Sequence, residues 1–117
     1  MMIEKRPTVY ITQVPHRRDK ETGAFVPTVN LSPAGEHGNL KIMMPPQAAF
    51  FATGDLVKQI REHLQHYSIE NGDSIVALGD PAVIAVAFAI LGKDKGKFTV
   101  LKWDRTSGRY LPSRVVV

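Results

Sequence analysis

Apolar positions along this chain follow two rhythms. From Leu56 to Tyr67 they recur every four residues, as Leu56, Ile60 and Leu64, with Val57, His63 and Tyr67 flanking the stripe. Lys58, Arg61, Glu62 and Gln65 fall on the opposite side. This period predicts an amphipathic helix, capped by Thr53 or Asp55 and stopped at Asn71-Gly72. The second rhythm is that of strands. "TVYITQV" (8–14), "NLKIMMPP" (39–46), "SIVAL" (74–78), Phe98 to Trp103 and Arg109 to Val116 are β-branched, aromatic or apolar runs bounded by Pro, Gly and charge.

The most informative stretch is "SIVALGDPAVIAVAFAILG" (74–92). Its continuous apolar start suits an inner strand covered on both faces. Gly79 admits a backbone conformation closed to other residues, Asp80 is placed as an N-cap, and Pro81 sits where a helix needs no donor. Gly92 is expected to close the helix. Ten residues after Pro81 lack any polar side chain, so packing on one sheet face leaves about half the helix in need of cover. Either "QAAFF" (47–51) and the N-terminal loop supply it, or a second copy of the chain does. Ala82, Ala85 and Ala89 would let another helix approach closely, and a homodimer or higher oligomer through residues 82–91 is the expectation.

Strands alternating with helices imply a parallel sheet. The expected fold is α/β: a single compact domain over 1–117 with a mostly parallel four- or five-stranded sheet, two main helices and a C-terminal β-hairpin turning at "DRTSG". Residues 15–38, rich in Pro, Gly and charge, form a long loop that carries function or hides a hairpin around "DKETGAFVP".

Composition narrows the chemistry. The chain has 117 residues and no cysteine, which excludes disulfides and thiolate chemistry. No apolar run reaches the roughly 18 residues that span a bilayer, and the N-terminus lacks a signal-peptide pattern. The expected setting is cytoplasmic. Net charge is +4, unevenly spread: residues 93–117 carry seven Lys/Arg against two Asp/Glu, whereas 31–92 carry three against six. Such a basic strip suits a polyanionic partner, though a solvated edge has the same composition.

Candidate site residues follow from these patterns. Gly79 and Asp80 lie where a strand's carboxyl end meets a helix start, the usual ligand position in open parallel sheets. The Asp80 carboxylate there also serves as a simple cap. Lys102, Trp103, Asp104, Arg105, Arg109 and Tyr110 combine rings with cations, as single-stranded nucleic-acid platforms do; such a Trp also covers the end of a core. His16, Arg17 and Arg18 make a basic loop. His63 and His66 with Glu62 lack a third metal ligand, so no metal and no cofactor are assigned. No Gly-x-Ser-x-Gly elbow, P-loop or dinucleotide fingerprint occurs.

Three segments, "VNLSPAGEHGNLKIMMPP", "IVALGDPAVIAVAFAIL" and "VLKWDRTSGRYLPSRV", resemble a family of short uncharacterised tailed-bacteriophage proteins. The shared features are Ser-Pro-Ala-x-Glu-x-Gly, Gly-Asp-Pro and Leu-Lys-Trp-Asp-Arg, over roughly residues 29–115. The resemblance implies a viral origin and action in the host cytoplasm, and no reaction. It adds Ser32 and Glu36 to the candidate ligand-binding residues and raises the expectation that Glu36 and Asp80 share one rim. The expected function is a phage accessory protein that binds a nucleotide or nucleic acid. The alternative is an interaction module that inhibits or redirects a host protein. A nucleotide or phosphoryl hydrolase using Asp80 and Glu36 stands third, so an enzyme is the lesser expectation.

Overall fold

A computed structural model describes residues 5–46 and 53–117. The segment 47–52 and the side chain of Thr53, invoked above as cover and as cap, lie outside the described residues. The chain runs through β1 (Thr8–Gln13), a two-stranded hairpin of β2 (His16–Arg18) and β3 (Phe25–Pro27), a 3-10 helix (Ser32–His37), β4 (Asn39–Met44), α1 (Thr53–Leu64), β5 (Ser74–Val76), α2 (Pro81–Asp94), β6 (Lys97–Asp104) and β7 (Arg109–Val116). The sheet order is β4-β1-β5-β6-β7, parallel except for the last pair. The α/β fold with a C-terminal antiparallel hairpin agrees with the pattern of the sequence, and the hidden hairpin lies within residues 15–38.

The sheet separates two cores. On one face Tyr10, Met44 and Ile75 pack with Leu56, Ile60 and Leu64 of α1 and Val83, Ala87 and Leu91 of α2. The four-residue stripe is the buried face of α1. On the other face Val9, Ile11, Val76, Leu101 and Tyr110 pack with Ala34, Leu31 and Val29. The connection from β1 to β4 therefore covers the face opposite the helices and does not roof α2. β5 is central, with all three residues buried, because each of its faces looks into one core.

Two helix boundaries differ from expectation. Helix α2 continues past Gly92 to Asp94, and Gly96, with φ 77°, takes the left-handed position after the cap. Helix α1 ends at Leu64, so Gly72 (φ 88°) belongs to the turn before β5 instead. That turn is organised by Asp73, a buried carboxylate that accepts from the backbone N–H groups of Thr8 (2.8 Å) and Ser68 (3.0 Å) and from Asn71 Nδ2 (3.3 Å). Tyr67 adds a second tie: its hydroxyl donates to the Asp73 carbonyl and accepts from the Thr99 N–H.

Helix α2 answers the absence of a polar face with size. Its solvent side carries Ala82, Ala85 and Ala89, each offering little apolar area to water. Arg61 of α1 bonds Asp94 at 3.0 Å where the two helices meet. No helix among the described residues is long and apolar enough to cross a membrane.

His63, half-buried on α1, is held below the ordinary imidazole value by burial first, then by Lys41, with Glu62 opposing. A lowered folded value means that this site's stability contribution is intact above the unfolded pKa of about 6.5 and is lost as pH falls through it. Denaturant unfolding at about pH 7.5 and 5.5 is expected to show a loss at the lower pH that is smaller in His63→Gln. An equal loss in both proteins removes His63 as its source.

Candidate functional site

The carboxyl ends of β1 and β5 are where successive connections leave the sheet on opposite faces, the position at which open α/β sheets place ligands. Here the chain closes that crevice with its own groups. The Thr12 hydroxyl accepts from the Leu78 N–H at 2.7 Å and donates to the Leu78 carbonyl. Strand β5 accordingly stops at Val76, short of the apolar run that reaches Leu78. Gln13, 4 % exposed, accepts from the Asp80 N–H and donates to the Pro45 carbonyl, each at 2.7 Å. Gly79 has φ 86°, and a Cβ there would lie 2.6 Å from that of Gln13. Asp80 caps α2, its carboxylate accepting from the Ala82 N–H at 2.7 Å, and Pro81 follows. Three of the positions an anion would use at this helix start are therefore taken or lack a donor.

The open space lies beside this corner, on the face opposite α1 and α2. A groove of about 510 Å³ is lined by Val29, Asn30, Pro33, Leu78, Trp103 and Tyr110. A second, of about 430 Å³, continues from the shared Val29 and Asn30 past Val14, His16, Pro27 and Ile42. Trp103 is 49 % exposed and meets buried Tyr110 edge to face, ring centroids 5.1 Å apart. That contact braces the indole while about half of it stays exposed. The Asn30 Oδ1 accepts from the Ser32 N–H, which leaves its amide nitrogen as a donor at the junction of the grooves.

The expected site residues are distributed unevenly about this space. Trp103 and Tyr110 line the first groove, and His16 and Ser32 line the second. Strand alternation puts Lys102, paired with Leu111, on the opposite sheet face from Trp103, paired with Tyr110. The hairpin residues therefore do not form one cluster. Arg109 grips Glu36 through two hydrogen bonds of 3.1 and 3.0 Å, which hold the carboxyl below its usual range. His37 bonds the Tyr110 carbonyl at 2.7 Å, fastening the 3-10 helix to β7. Glu36 and Asp80 share no hydrogen-bond partner, and each is engaged in structure. Asp104 accepts from the Ser107 backbone and hydroxyl and shapes the turn. Arg105, Arg17 and Arg18 are exposed, and none forms an ion pair among the described residues.

Val29, Pro33, Leu78 and Val14 were not singled out as site residues by their pattern. They are apolar residues of loops and strand ends, and only their convergence on one face gives them meaning. The "VNLSP" segment is the available signal, since Pro33 and Asn30 mark an ordered loop. Among the described residues no group of three or more His, Asp or Glu side chains gathers to hold a metal, and His63 and His66 have no further partner for one.

Neither a curated protein nor a solved structure matches the sequence. The family model described as Phage Pam3 gp32-like protein matches residues 7–117, a span that takes in every strand and helix above, and the chain belongs to this phage protein family.

Proposed function

We propose that the protein is a phage accessory protein that works by binding in the host cytoplasm, and that the Trp103–Tyr110 groove takes the base of a nucleotide or nucleic acid. The observation that carries this reading is the half-exposed indole, braced by Tyr110 over an apolar groove at the carboxyl ends of the strands. A planar base stacks there at about 1–3 kcal/mol per ring, and Arg105 in the adjoining turn supplies a cation for phosphate. The self-capped start of α2 is less suited to phosphate, so the reading rests on the groove and not on Gly79 and Asp80.

Trp103 is the only tryptophan, and its fluorescence reports directly on the site. Titration with nucleotides and short oligonucleotides at about 50 mM salt is expected to quench it. Trp103→Ala is expected to weaken binding of a labelled oligonucleotide about tenfold by anisotropy. No change in fluorescence with any of these ligands defeats the proposal.

A second reading, an interaction module for a host protein, is favoured by β4. This edge strand exposes Leu40 (42 %) and Ile42 (53 %) and has no internal proline, whereas the opposite edge, β7, carries Pro112. Among the described residues no strand pairs with the outer side of β4, and an open edge invites strand addition. Hydrogen exchange at Asn39–Met44, slowed by host extract and restored by Ile42→Asp, is the result this reading requires. A homodimer through Ala82, Ala85 and Ala89 is a separate proposal, and a clean 13 kDa species in light scattering at micromolar concentration removes it.

A further inference from the structure

We propose that the two grooves act as one trough that holds a single strand of nucleic acid, with bases at Trp103 and at Phe25. This rests on the base-binding reading of the Trp103 groove and extends it. The grooves share Val29 and Asn30, so a chain leaving the indole has a continuous path past the carboxyl ends of β5 and β1. At the far end the β2–β3 hairpin continues the wall. His16 and Pro27, paired across the hairpin, line the second groove; Arg18 and Phe25 form the next pair on the same side. Phe25 is 47 % exposed, and the Arg18 guanidinium stands 5.1 Å from its ring centroid. An exposed ring beside a cation that forms no ion pair among the described residues thus occurs at each end: Phe25 with Arg18, and Trp103 with Arg105.

The chemistry of the trough selects the form of nucleic acid. Its walls are apolar, and its rings offer faces, which suit unstacked bases. A duplex keeps its base faces covered and would meet only the cations. A free mononucleotide would use one ring and leave the other bare. An acidic peptide could satisfy the arginines but has no planar group for both rings, and its binding would not require them.

The test is the length dependence of Trp103 quenching, using adenosine monophosphate, a dinucleotide, single strands of about 4–12 nucleotides and a duplex of the longest strand. Affinity is expected to rise with length beyond the dinucleotide, and the duplex is expected to bind more weakly. Phe25→Ala is expected to cost the longest strand about tenfold and to leave the dinucleotide within about twofold. Arg18→Ala should lower the log–log salt slope for that strand by about 0.7, one phosphate. These positions are exposed, and thermal melts check that the variants fold; Arg18→Glu offers a second, charge-reversing test. Quenching by the mononucleotide with no gain in length, or hairpin variants without effect, overturns the trough while leaving the base-binding groove intact. Silence of Trp103 toward every ligand removes both.

Discussion

Replacing Asp73 by alanine is expected to destabilise the protein by about 3–4 kcal/mol, the largest loss from any single surface-distant polar change. The carboxylate is 2 % exposed and its two oxygens together accept from three N–H donors. Two of these are backbone groups, at the start of β1 and after α1. Alanine takes the acceptor from both part-buried amides and removes the carboxylate that ties them together. Since domains of this size have about 5–15 kcal/mol in total, the variant should melt at least 10 °C lower, on the order of a few degrees per kcal/mol. Asp73→Asn keeps one acceptor oxygen and should fall between. Denaturant unfolding of the three proteins measures this, and a loss under about 1 kcal/mol in the alanine variant contradicts the assigned role.

The second large effect is expected at Gly79. Its φ of 86° disfavours any side chain, and the Gln13 side chain occupies the space a Cβ would need. Gly79→Ala should therefore cost about 3 kcal/mol, part from the backbone and part from the forced movement of Gln13. The two parts separate in a cycle. Gln13→Ala alone gives up its bonds to Asp80 and Pro45, about 2 kcal/mol. Combined with Gly79→Ala it removes the clash with the Gln13 amide group but not that with its Cβ, so the double variant should be more stable than the sum of the singles by about 1 kcal/mol. Strict additivity would mean that Gln13 does not set the tolerance of the corner.

Both sites show why a corner that reads as a ligand rim is, in this protein, a joint. Gln13 and Thr12 look like ordinary residues of a strand, and their distance from Gly79 along the chain hides that they fill its crevice. Parallel pairing of β1 with β5 brings them there. Asp73 was equally inconspicuous, one carboxylate beside a turn, because the donor that ties it to β1, the Thr8 N–H, lies far away in sequence. By contrast, the cap at Asp80 and the stripe of Leu56, Ile60 and Leu64 were legible, since each depends on residues within one or two helical turns.

The amino-acid order alone determined the succession of elements, the apolar seam of α1, the launch of α2 from Gly79-Asp80-Pro81 and the β6–β7 hairpin. These are local outcomes of side-chain period, capping and turn chemistry. Tertiary structure alone decided which strands are neighbours, which sheet face the 15–38 segment covers, and that Trp103 opens into a groove with Val29, Asn30 and Leu78 while Lys102 turns away. The physical reason is that pairing register and burial are set by contacts between segments far apart in sequence. A strand's alternation says that two faces exist, and only the packed sheet says what each face meets.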